Sequence, residues 1–110
     1  MGVIPRYNFW VPGGLDSVDT HNGNVDVHVT IEKKGYSATF FTLDNIDSLM
    51  RKFEQEGDCN HGQYFRAVDM IIVRELSLCT IQETIDYMLG TGEFFAAFGG
   101  PYEVIEPIDL

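Results

Sequence analysis

Apolar residues are spaced along this chain in three ways, and each spacing predicts a different element. Val25, Val27, Val29 and Ile31 alternate with Asp26, His28, Thr30 and Glu32, the period of a strand with one buried and one wetted face. Lys33-Lys34-Gly35 reads as a turn, and Tyr36–Thr42 as the returning strand of a hairpin. Leu43, Ile46, Leu49, Met50 and Phe53 then recur at helical spacing. Thr42 or Asp44 would cap that helix, Asp44 and Asp47 lie in its first turn, Arg51 and Lys52 lie nearer its end, and Gly57 stops it. A second helix is expected after Ser77, with Leu76 and Ile81 at the positions of a hydrophobic staple. Leu78, Ile81, Ile85, Met88 and Leu89 form its buried stripe, and Gly90-Thr91-Gly92 ends it.

The third pattern is continuous. Ala67–Val73 (AVDMIIV) is interrupted only by Asp69, and an unbroken β-branched run suggests a strand covered on both faces. It is therefore expected to be the central strand, preceded by a short strand at Tyr64–Arg66. Glu93–Phe98 predicts one further apolar turn, and Tyr102–Ile105 a last edge strand. Residues 1–24 read as irregular or edge-strand chain, since Pro5 and Pro12 confine any strand there to an edge. The order β-β-α-β-β-α predicts an α+β domain, a mainly antiparallel sheet of four to five strands with two helices on one face. Val27, Val29, Phe40, Ile46, Met50, Ile71, Ile85 and Met88 should share its core.

A length of 110 residues and a hydrophobic fraction of 45% predict one domain with a core that needs neither metal nor disulfide. No apolar run approaches the ~18 residues of a membrane span. The start MGVIPRYNFW lacks the basic start and the long apolar stretch of an export signal. A cytoplasmic location is expected, with Cys59 and Cys79 reduced.

Charge changes the picture most. Seventeen acids against seven Lys and Arg give a net charge of −10, which disfavours nucleic acid and anionic membranes as partners. Every Lys and Arg lies at or before Arg74. Beyond it come Glu75, Glu83, Asp86, Glu93, Glu103, Glu106 and Asp109 with no basic residue between them. Acidic surfaces commonly serve only to solubilise, and a one-signed C-terminal third is less ordinary.

Candidate chemistry is sparse. Cys59 and His61 could offer two zinc ligands or a thiolate beside an imidazole, yet Cys79, His21 and His28 complete no recognised spacing. Asp26, His28, Thr30 and Glu32 share one strand face, as the residues of any solvated sheet face do. Asp69 is either a turn residue or a site residue. The glycines match neither a phosphate loop nor a dinucleotide fingerprint. Neither catalytic residues nor cofactor nor metal are expected.

The phrases SATFFTLDNIDSLM, GDCNHGQYF and DMIIVRELS resemble a class of small acidic bacterial proteins of no assigned activity. In size, charge and class the chain also resembles immunity proteins of bacterial toxin systems, including contact-dependent growth inhibition. That resemblance implies a single-domain, non-enzymatic inhibitor of a basic toxin domain such as a nuclease, and it assigns no individual residue. From the charge pattern itself, the partner-binding candidates are Glu83, Asp86, Tyr87, Glu93, Tyr102, Glu103 and Glu106. The rival readings are a small regulatory or adaptor domain, or a small enzyme using Asp69, His28 or His61.

Overall fold

The computed structural model describes residues 2–104. Glu106 and the end of the expected last strand lie outside them. The elements run β1 (Asn8–Trp10), β2 (Asn24–Ile31), β3 (Lys34–Phe41), α1 (Leu43–Glu56), a short turn α2 (Asp58–Gly62), β4 (Met70–Ile72), α3 (Leu78–Thr91), α4 (Phe94–Ala97) and β5 (Gly99–Glu103). The class is α+β, with a five-stranded and mainly antiparallel sheet.

The central strand is β3. It pairs antiparallel with β2 from Asn24↔Phe41 to Ile31↔Lys34. Its other edge is shared by β5, antiparallel at Lys34–Ser37, and by β4, parallel at Thr39–Phe41. This corrects the expectation for AVDMIIV, which supplies only three paired residues at an edge. Asp69 takes φ 51°, a left-handed conformation that breaks the extended run just before β4. The run is not covered on both sides either: Ile71 is 7% exposed, but Ile72 is 49% and Val68 76%. Parallel pairing follows from connectivity, because α1 and α2 lie between β3 and β4 and serve as the crossover that parallel strands require. Tyr64–Arg66 forms no strand.

The β2–β3 turn is tighter than expected. Glu32 and Lys33 occupy its two central positions with φ 49° and 67°, as in the two-residue hairpin turns that match strand twist. Lys34 and Gly35 therefore belong to β3.

Register places Phe9, Val29 and Tyr36 side by side, and likewise Val25, Phe40 and Ile71. This face packs on Ile81, Ile85 and Leu89 of α3 and on Phe94 and Phe98 around α4. Ser77 caps α3 by accepting from the Thr80 N–H at 3.1 Å, and the staple residues Leu76 and Ile81 are both buried. Phe94 stacks on Phe98 at a ring-centroid distance of 4.2 Å, and Phe40 meets Phe98 edge-on at 6.1 Å.

Helix α1 begins at Thr42, whose hydroxyl accepts from the Asn45 N–H, and ends at Gly57 with φ 90°. It buries no residue fully. Its Phe53 stacks on Phe65, which meets Phe41 edge-on, and Phe41 points to the opposite side of β3 from Phe40. The two long helices thus do not share the core face. Ile46 and Met50 are half-buried outside the core cluster, whereas Val27, Val29, Phe40, Ile71 and Ile85 lie in it with Met88 against it.

Candidate protein-binding surfaces

Helix α3 carries two stripes. Ile81, Ile85, Met88 and Leu89 turn to the core, whereas Leu78, expected in the same stripe, lies in the first turn and is 61% exposed. Thr80, Glu83, Thr84 and Tyr87 follow i, i+3, i+4, i+7 spacing along another face, and with Met88 and Glu93 they line a shallow groove of about 380 Å³. Glu93 arrives there because Gly92, at φ 83°, ends α3 and turns the chain back. The structure therefore brings together three of the sequence candidates: Glu83, Tyr87 and Glu93. Tyr87 is 61% exposed. Among the described residues no Lys or Arg pairs with either glutamate. By contrast, the cations of α1 are matched within the helix: Arg51 pairs with Asp47 at 3.0 Å and Lys52 with Glu56 at 4.0 Å.

Asp86 lies elsewhere. It is half-buried and accepts a hydrogen bond from the Tyr7 hydroxyl. Burial, then that bond, then the Asp86 charge all push the Tyr7 phenol far above its ordinary value. Tyr102 and Glu103 belong to β5, on the far side of β3 from β2. There they border an opening that also includes Trp10 and His28. The candidates thus divide between α3 and the sheet.

Trp10 is the residue that sequence reasoning left without a role. Its ring lies on the His28 imidazole, with centroids 4.8 Å apart and 21° between planes. Pairing of β1 with β2 produces this contact, because Trp10 is the register partner of His28 while Phe9 pairs with Val29. Alternation through Phe9 and Trp10 was the available signal, since it directs one ring to each face.

The other candidates are dispersed. Cys59, Asn60 and His61 form consecutive left-handed residues of α2, with φ 50–56°. Both cysteines are free. Cys79 donates to Glu83 Oε1 at 3.3 Å. This bond, followed by the carboxylate's charge, raises the thiol above its ordinary value and disfavours the nucleophilic thiolate. The Asp69 carbonyl accepts from the Thr39 N–H at 3.0 Å, and its carboxylate lies against Gly99, joining β4 to the start of β5. Asp26 accepts from Thr39 Oγ1 at 2.8 Å across the hairpin. Among the described residues no three His, Cys, Asp or Glu converge as metal ligands, and no helix is long and apolar enough to cross a membrane.

Comparison with protein families, with characterised proteins and with solved structures yields no match to this chain.

Proposed function

We propose that this chain is a non-enzymatic acidic binding protein of immunity type, acting in the cytoplasm. It would neutralise a basic bacterial toxin domain, such as a nuclease, by covering its cationic surface. The observation that carries this reading is the α3 groove, where exposed Tyr87 stands with Glu83 and Glu93 and, among the described residues, no Lys or Arg pairs with either acid. A nuclease holds a polyanion and therefore presents cationic surface. An acidic face meets that surface with complementary potential, which raises the association rate and selects the partner. An exposed tyrosine supplies a contact anchor that charge alone lacks.

The test is affinity capture from the native host followed by mass spectrometry, then titration of the captured protein's activity. A cationic toxin domain inhibited at a 1:1 ratio supports the reading. Capture of acidic partners only, or turnover of a substrate by the purified chain, would remove it.

A further inference from the structure

On the sheet face turned away from α3, two rows of side chains cross the strands. Trp10, His28 and Ser37 are register partners on β1, β2 and β3. Thr30, Gly35 and Tyr102 form the next row on β2, β3 and β5. Trp10 and Tyr102 are 56% and 53% exposed, although a wetted sheet face is ordinarily polar. Between them lies a trough of about 370 Å³. Small residues make this possible: Thr30 and Ser37 bring hydroxyls, and Gly35 has no side chain, which lets a Val104 methyl approach to 3.0 Å from where its Cβ would be. Glu103 borders the trough next to Tyr102, and among the described residues neither Lys nor Arg lines it.

Each part selects the same chemistry. Exposed rings attract a cation over their faces, most effectively one that can also stack. The Thr30, Ser37 and Tyr102 hydroxyls accept hydrogen bonds, and a guanidinium brings five N–H donors in one plane. A phosphate or nucleotide is disfavoured by the net charge of −10. We infer that the Trp10–Tyr102 trough is an arginine-docking site for a basic protein partner. This rests on the reading that the partner is cationic, and it adds a second contact face, opposite the α3 groove, and the side chain recognised there.

The probe is a short peptide of alternating Gly and Arg, compared with matched Lys and citrulline peptides at low ionic strength. Trp10 is the chain's one tryptophan, so its fluorescence reports directly, and amide NMR shifts map the contact. The Arg peptide should perturb Trp10 emission and the amides of β1, β2 and β5, the Lys peptide should bind more weakly, and the uncharged planar citrulline peptide should not bind. Tyr102→Leu, which keeps the reporter, and Trp10→Leu, read by NMR, should each weaken Arg-peptide binding by ~2- to 5-fold, the range of an exposed cation–π contact. Equal affinity for the Arg and Lys peptides, or shifts confined to the α3 groove, would overturn the inference and leave a cationic partner standing. Failure of both cationic peptides to bind anywhere would overturn the inference, while the cationic-partner reading stands or falls on the capture experiment.

Discussion

The hydroxyl of Tyr7 donates to the carboxylate of Asp86, 79 residues further along the chain, and fastens the N-terminal segment to α3. A second bond, from the Gly2 N–H to the Gly90 carbonyl at 2.8 Å, holds the same segment near the end of that helix. Asp86 is therefore a structural acid as well as a charge. Reversing it would alter the fold and binding together, so it is a poor position for testing an electrostatic interface.

Tyr7→Phe should lower stability by about 1–3 kcal/mol, because it leaves a half-buried carboxylate without its donor. The loss should depend on pH in a defined direction. Tyr7 is raised in the folded state, so its contribution is complete below the unfolded phenol value of ~10 and disappears as pH climbs towards the folded value. Urea unfolding of wild type and variant at neutral and strongly alkaline pH measures this. The gap between them should narrow at the alkaline end, and a gap independent of pH would contradict the assignment.

Ile71 and Ile72 are neighbours with opposite expected outcomes. Ile71 lies in the core beside Phe40, whereas Ile72 is half-exposed at the sheet edge. Ile71→Ala should cost about 2–5 kcal/mol and Ile72→Ala under about 1 kcal/mol. Phe40→Ala, on the central strand with 0% exposure, should cost about 3–5 kcal/mol. Denaturant midpoints at constant slope give the comparison.

That contrast shows what was legible in the chain. Alternation from Val25 to Ile31, the caps at Thr42, Ser77 and Gly57, and the staple at Leu76 and Ile81 are local signals, and local interactions produce those elements. The rank of a strand within a sheet is not local. AVDMIIV is a strongly apolar run, yet β3 is central because, beyond its hairpin pairing with β2, its other edge finds β4 and β5, both distant in sequence. The groove on α3 was partly legible, since Glu83 and Tyr87 share a helical face by spacing alone. Its other wall depends on where Gly92 returns the chain. The Trp10–His28 stack and the Tyr7–Asp86 bond needed the β1 register and the packing of the first segment on α3, which no local pattern encodes.

Glycine positions separate backbone conformation from steric fit. Gly13 and Gly62 both have φ 77°, but an added Cβ would find open space at Gly13 and would run into the Met50 carbonyl at Gly62. Gly13→Ala should therefore show only the conformational penalty, about 1–2 kcal/mol. Gly62→Ala should exceed it, because α2 must move away from α1. Equal melting shifts for the two variants would mean that α2 is not packed on α1 as described.

Location of charge, rather than its total, is the decisive property of the proposed interface. Glu83→Lys with Glu93→Lys changes net charge by the same amount as Asp47→Lys with Glu56→Lys. The first pair lies on the α3 groove, while the second lies on α1, where each acid already faces a cation. In stopped-flow association with the captured basic partner, the α3 pair should slow binding at low salt by about tenfold or more. The α1 pair should have a much smaller effect. Added salt should slow the wild type towards the α3 variant, because rim charges act through a screened field. Tyr87→Ala should instead raise the dissociation rate, as loss of a contact anchor does, by about 1–2 kcal/mol in affinity. If both charge-reversed pairs slow association equally, only net charge steers the encounter, and the groove between Glu83 and Glu93 is not where the partner docks.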